Sequence, residues 1–340
     1  MIVRSKAPLR LGLAGGGTDV SPYSDIFGGA ILNASINLYA YASIEPGDNG
    51  EITLRLEDKN LELRYPLTER LEPDGNMDLI KGVYNRIIRE FRLSPQPFRL
   101  SAYVDAPPGS GLGSSSTLVV AVLGAFAEWF RLPLGEYDLA WLACDIERND
   151  LGMAGGKQDQ YAATFGGVNF MEFYKNDKVI VNPLRIKEQI LNELSNNIVL
   201  YYTETSRISS SIIENQQRNV KEGVSESVEA MHMLKELAIS MKEALLKGEL
   251  DSLGELLDNS WNYKKKMAGG ITNPHIDTIY DTALKAGATG GKISGAGGGG
   301  YMFFYCPRNT RYNVIRALKQ FGGHEQKYEF TKRGLETWTI

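Results

Sequence analysis

Ten residues, Pro107–Pro108–Gly109–Ser110–Gly111–Leu112–Gly113–Ser114–Ser115–Ser116, stand between a segment that reads as strand, Phe98–Val104, and a strongly apolar segment that reads as helix, Thr117–Arg131, stopped by Pro133. Glycine at positions 109, 111 and 113 allows positive φ and a close approach of the main chain to an anion. The three serines fall at a helix N-terminus, where unpaired N–H groups and the helix dipole favour phosphate. Their hydroxyls can also reach a magnesium ion. An ordinary turn with serine caps is the competing reading; the strand–loop–helix setting favours phosphate. The common P-loop is excluded, because no Gly-x-x-x-x-Gly-Lys-Ser/Thr string occurs. The dinucleotide fingerprint fits poorly, since these glycines recur at every second position.

Around this loop the 340 residues suffice for two domains with real cores. Apolar residues make up 43% and charged ones 23%, the balance of a globular chain. A net charge of -4 argues against a general nucleic-acid or membrane-surface binder, so an anionic substrate needs locally placed basic groups. The two cysteines, Cys144 and Cys306, lie in apolar stretches, as expected for a reducing cytoplasm, and the three histidines are scattered. No apolar run long enough to span a bilayer and no leader are expected. Oligomeric state stays open, with a homodimer admitted.

Residues 1–105 read mostly as strands, including Ala30–Leu38, Tyr39–Glu45 and Ile52–Leu56, with a helix over Asp78–Phe91. A helix over Tyr137–Arg148 and a strand over Gly166–Phe173 follow the loop's own helix. Composition turns polar near Ile186–Asn196, which places a boundary between domains 1–190 and 191–340. The second half carries helices over Val224–Lys247, Leu250–Met267, Asn273–Ala286 and Thr310–Phe321, and strands over Asn197–Tyr202, Ala288–Ile293, Tyr301–Cys306 and Gln326–Phe330. This is α+β with a split β-α-β character. Lys264–Lys265–Lys266 reads as a solvated helix face.

Three motifs in order carry a resemblance. Lys6–Ala7–Pro8–Leu9–Arg10 through Gly15–Gly16–Gly17–Thr18–Asp19, the loop Pro107–Ser116, and Lys292–Ile293–Ser294–Gly295–Ala296–Gly297–Gly298–Gly299–Gly300 together resemble the galacto-, homoserine, mevalonate and phosphomevalonate (GHMP) kinase superfamily. Leu13–Asp19, Gly155–Gln160 and Ile271–Pro274 look most like the kinases of D-glycero-D-manno-heptose 7-phosphate within it. The resemblance implies the two-domain GHMP kinase fold, with an N-terminal ribosomal-protein-like, ATP-binding domain and a C-terminal ferredoxin-like one. It implies ATP and Mg²⁺ as cofactors and phosphorylation of a sugar phosphate at its anomeric hydroxyl.

By the same resemblance Asp159 accepts the proton of the attacking hydroxyl and Arg10 stabilises the transferring phosphoryl. Glu147 with Ser115, or its neighbour Ser114, would hold magnesium, and Pro108, Gly109, Ser110, Gly111, Leu112, Gly113, Ser114, Ser115 and Ser116 would bind nucleotide. Gly16, Gly17, Thr18 and Asp19 would meet the sugar, and Gly297 and Gly298 would close on it. Galactokinases carry Glu-His where this chain has Gly16–Gly17, which points away from galactose. Arg207, among nearby hydroxyls, and Lys157, beside Asp159, are candidates to clamp a substrate phosphate, and Lys292 lies near the anion. A kinase of fucose or galactose, or a non-catalytic sensor of sugar and ATP, is the alternative.

Overall fold

Two antiparallel-rich sheets organise the chain, and the computed structural model describes residues 1–205 and 210–340. In the first sheet the strands run Glu336–Thr339, Val3–Ala14, Gly29–Pro46, Phe98–Val104, Glu51–Leu56 and Leu61–Pro66, with Val168–Phe173 and Val179–Pro183 branching from Gly29–Pro46. Among the described residues only Glu51–Leu56 and Phe98–Val104 pair in parallel. The segments expected as Ala30–Leu38 and Tyr39–Glu45 form one long strand. It stays continuous because its partners change along its length: residues 29–34 pair with Val168–Phe173 and residues 40–46 with Phe98–Val104.

The second sheet runs His324–Glu325, Ile198–Tyr202, Tyr301–Tyr305, Gly290–Ile293. Numbered along the chain this is order 4-1-3-2 in a β-α-β-β-α-β path, the split β-α-β arrangement. The expected strand Gln326–Phe330 does not form; a two-residue strand, His324–Glu325, stands just before it. After Gln326 donates to the Leu200 carbonyl, the chain leaves this sheet, and Phe330 bridges to Ile36 of the first. The expected boundary at 190/191 falls inside the helix Glu188–Asn197, which leads directly into Ile198–Tyr202. The last strand, Glu336–Thr339, returns to the first sheet beside Val3–Ala14.

The helix after the glycine-serine loop, Ser114–Phe130, is apolar on every side, and twelve of its residues are buried. A helix of that kind can only lie inside. It packs on Val3–Ala14 and Gly29–Pro46 and anchors the core beneath the first sheet. A second core unites the halves: Leu9, Leu11 and Leu32 meet Leu200, Leu245, Leu257 and Phe303. This fixes the second half against the end of the Val3–Ala14 strand that carries Arg10.

Two local departures bear on the site. The helix expected to run to Arg148 ends at Asp145 and continues as a π turn, Ile146–Asp150. Arg86, on the helix Asp78–Glu90, hydrogen-bonds Asp145 and Asp150, on either side of Glu147, and so pins both ends of this turn. The segment holding Asp159 is a helix, Gln158–Phe165, where no element is expected from the sequence.

Candidate active site

Between the halves lies a cleft of about 720 Å³, a size suited to small-molecule ligands. Gly109, Gly111 and Gly113 along one wall have φ of +74°, +81° and +79°. Left-handed residues alternating with ordinary ones turn successive amides to one side, the geometry of an anion nest. The helix Ser114–Phe130 starts on Gly113 with no side-chain cap, so its first-turn amides remain available to a ligand. The C-terminal glycine run locks against this loop. A Cβ on Gly111 would stand 2.3 Å from the Ser294 carbonyl oxygen, and one on Gly300 2.4 Å from that of Ser110.

Arg10 crosses from the buried strand to the loop. Its guanidinium places two N–H groups on Asp159 Oδ1, at 2.8 and 2.6 Å, and donates to the Gly111 carbonyl at 2.5 Å. Asp159 packs on Gly113: a Cβ there would lie 3.1 Å from its carboxyl carbon. The second oxygen, Oδ2, accepts no bond among the described residues. A carboxylate held at one oxygen by a buried guanidinium, with the other facing the cleft beside an anion nest, can take a proton from a hydroxyl placed there.

Asp19 is buried and accepts from the amides of Lys157 (2.7 Å), Gln158 (3.0 Å) and Gly17 (3.3 Å). It thereby fixes the start of the helix that bears Asp159. Burial raises its carboxyl above the ordinary range, against the pull of these amides. Glu147, 2% exposed, accepts from Ser116 Oγ (3.0 Å) and Gln160 Nε2 (2.8 Å), with Arg148 Nη2 at 3.3 Å. Burial pushes its carboxyl up as well, and Arg148 works in the opposite direction.

Residues 78–167 match the family described as GHMP kinases N terminal domain, and residues 241–324 the family GHMP kinases C terminal. The chain is 49% identical to a D-glycero-alpha-D-manno-heptose 7-phosphate kinase of Campylobacter jejuni subsp. jejuni serotype O:2, over 99% of both chains. The chain belongs to the GHMP kinase family. A solved D-glycero-D-manno-heptose 1-phosphate kinase from Bacteroides thetaiotaomicron superimposes with a TM-score of 0.85 at 48% identity, covering 99% of each chain. A Lactococcus lactis galactokinase, complexed with galactose, shares the fold at 20% identity, with a TM-score of 0.80 over 98% of this chain and 95% of that one. The protein is thus a phosphotransferase with an alcohol acceptor, and among its described residues no helix is long and apolar enough to cross a membrane.

In this GHMP kinase the cleft gathers Arg10, Gly16, Gly17, Asp19, Pro108, Gly109, Gly111, Gly113, Ser114, Ser115, Ser116, Glu147 and Asp159. Other expected residues stand elsewhere. Ser110 and Leu112 are buried beneath the loop, where their carbonyls receive the amides of Tyr301 and Arg10. Thr18 is fully buried and its hydroxyl is used on the backbone of Gly15 and Ala30, so it shapes the turn. Lys157 sends its ammonium away from the cleft, to within 2.7 Å of Asp177; only its amide serves the site, by binding Asp19. Gly297 and Gly298 pack on Ile271, leaving Gly295 and Ala296 at the cleft. Arg207 lies outside the described residues.

Three members, Gln160, Arg148 and Lys264, were not expected from the sequence, and Ser116, expected only at the nucleotide, has a further partner. Ser116, not Ser115 or Ser114, bonds Glu147, and Gln160 ties both together. Arg148 lines the cleft and braces the following loop through the carbonyls of Met153 and Gly156. Lys264, expected on a solvated face, is buried and lines the cleft. Its position was signalled: Leu253, Leu257, Ser260, Trp261 and Lys264 recur at helical spacing along one buried face.

Proposed function

We propose that this kinase transfers the γ-phosphoryl of ATP to the anomeric hydroxyl of D-glycero-D-manno-heptose 7-phosphate, giving the 1,7-bisphosphate for nucleotide-activated heptose and glycan synthesis in the cytoplasm. The observation that carries it is the Arg10–Asp159 pair set against Gly111 and Gly113, in a chain half-identical to a named heptose 7-phosphate kinase. ATP phosphates occupy the nest of Gly109–Ser116. The sugar lies against Gly16, Gly17 and Asp19, and residues 1–190 and 191–340 act as the two domains that meet over it.

The sugar oxygen attacks the γ-phosphorus in line, the bond to the bridging oxygen breaks, and ADP leaves. Asp159 Oδ2 receives the hydroxyl proton. Arg10, fixed by Asp159 and Gly111, presents its charge where negative charge spreads on the transferring group.

Magnesium suits this donor set. Glu147 is a buried carboxylate beside serine hydroxyls, and Gln160 Oε1 is a buried oxygen without a partner among the described residues. A hard cation takes such oxygens together with water and phosphate. Glu147 and Ser115 or Ser116 would hold it, and it would neutralise nucleotide charge.

A panel of sugars tests the reading: heptose 7-phosphate, heptose 1-phosphate, the free heptose, fucose, galactose and mevalonate, followed by ADP release, with the product mapped by phosphorus NMR. The expected result is preferred turnover of heptose 7-phosphate with a new anomeric phosphate. Preferred turnover of any other acceptor, or a phosphate added elsewhere, rejects it. Binding of sugar and ATP with no ADP formed would instead make the protein a sensor.

A further inference from the structure

Two lysines in the cleft have no role in the chemistry above. Lys264, on the helix Leu253–Met267, is 4% exposed, and Lys292, on the strand Gly290–Ile293, is 2% exposed. Both line the cleft. Lys292 Nζ donates to the Leu13 carbonyl at 3.3 Å, and Lys264 Nζ would be 3.9 Å from a Cβ on Gly16. Among the described residues neither ammonium forms an ion pair with a carboxylate. Lys292 Nζ also lies over the ring of Phe303, 5.9 Å from its centre, and the neighbours of Lys264 in sequence, Lys265 and Lys266, lie over the rings of Trp261 and Tyr263.

Burying two mutually repelling ammonium groups is unfavourable unless an anion arrives to pair with them. Desolvation and the nearby charge of Arg10 depress both lysines, Lys264 to about 8 against the opposing pull of Asp19, and Lys264 further depresses Lys292. In the proposed function the nucleotide phosphates are assigned to the amides of Gly109–Ser116 and the transferring phosphoryl to Arg10. The two lysines instead flank the Leu13–Gly17 turn, on the wall assigned to the sugar.

We propose that Lys264 and Lys292 form the site that binds the phosphate ester already carried by the sugar substrate. This rests on the reading of the chain as a sugar-phosphate kinase and deepens it. A phosphate dianion offers three acceptor oxygens to two buried ammonium groups. The pair therefore selects a phosphorylated sugar over its free form.

Calorimetry on the full chain tests it, with heptose 7-phosphate, unphosphorylated heptose, ADP and the non-hydrolysable analogue AMP-PNP as ligands. Lys264→Met is expected to weaken heptose 7-phosphate about 30-fold or more, the worth of one lost charge-assisted contact. Binding of the free heptose and of AMP-PNP stays within about threefold, since neither contact is removed. Lys264→Arg, which keeps the charge, recovers part of the loss and guards against misfolding as the cause. Equal losses for both heptoses would assign the lysines to the ring; a loss for AMP-PNP but not ADP would assign them to the γ-phosphate. Either result overturns the inference. If the wild-type protein binds heptose 7-phosphate without phosphorylating it, the proposed function fails and the inference stands. If it binds no heptose 7-phosphate, inorganic phosphate titrated with AMP-PNP present, which fills the γ-phosphate position, becomes the probe. Binding lost in Lys264→Met then supports the site, and absent or unchanged binding rejects it.

Discussion

Replacing Lys264 by methionine should make the unliganded protein more stable. The side chain is 4% exposed, and burial with the charge of Arg10 lowers it from 10.5 to about 8. In the unfolded chain a lysine keeps its proton up to about pH 10.4. Between those values the unfolded state binds more protons, so folding becomes more favourable as pH rises. Below pH 8 the full penalty of the buried charge is present. A depression of about 2.5 units at 1.36 kcal/mol each sets it at about 3 kcal/mol. Methionine fills nearly the same space without a charge, and near-isosteric swaps perturb packing by under about 1.5 kcal/mol. The variant should therefore gain about 2–3 kcal/mol at pH 7. At pH 9.5, above the native value, the buried lysine is largely neutral, so the gain should shrink to about 1 kcal/mol. Relief of Lys292, which Lys264 also depresses, adds in the same direction. Urea unfolding of both proteins at the two pH values, without sugar or phosphate, measures this. A methionine variant that is less stable at pH 7, or a difference that does not change with pH, would refute the reasoning.

Three further outcomes follow from the same geometry. Gly111→Ala places a Cβ 2.3 Å from the Ser294 carbonyl at φ +81°, so AMP-PNP binding should fall about tenfold or more and stability by about 2 kcal/mol, read by calorimetry and urea unfolding. Glu147→Gln keeps a side chain of the same shape between Ser116 and Gln160 but removes the charge; kcat should drop about 10²-fold with magnesium present, and stability at pH 7 should not fall, because the native state no longer buries a desolvated carboxylate. Arg86→Met leaves Asp145 and Asp150 without their shared partner, which should lower stability by about 3 kcal/mol and reduce kcat with little change in sugar binding, since the turn carrying Glu147 loosens.

What was legible in the sequence is what backbone chemistry dictates locally. Glycines 109, 111 and 113 announce positive φ beside an all-apolar helix, and Lys6–Arg10 and Lys292–Gly300 supply the motifs that meet the loop. Side-chain direction was less legible. Thr18 and Lys157 sit inside cleft-forming motifs, yet one hydroxyl is used on Gly15 and Ala30 and one ammonium turns to Asp177. Lys264 was hidden in a run of three lysines, although its register placed it on the buried stripe with Leu257 and Trp261. Features set by distant partners could not be read at all. The π turn at Ile146–Asp150 is pinned at both ends by Arg86, about 60 residues earlier along the chain. The return of Glu336–Thr339 to the first sheet depends on an edge offered by Val3–Lys6.

The central claim is that Asp159, held by Arg10 beside the phosphate loop, accepts the proton of the attacking sugar hydroxyl. Single-turnover phosphoryl transfer by Asp159→Asn, with AMP-PNP affinity measured alongside, tests it most directly. The structure leads us to expect a rate lower by ~10² or more with nucleotide affinity kept within about threefold. Transfer at the wild-type rate would contradict it and remove Asp159 from the reaction.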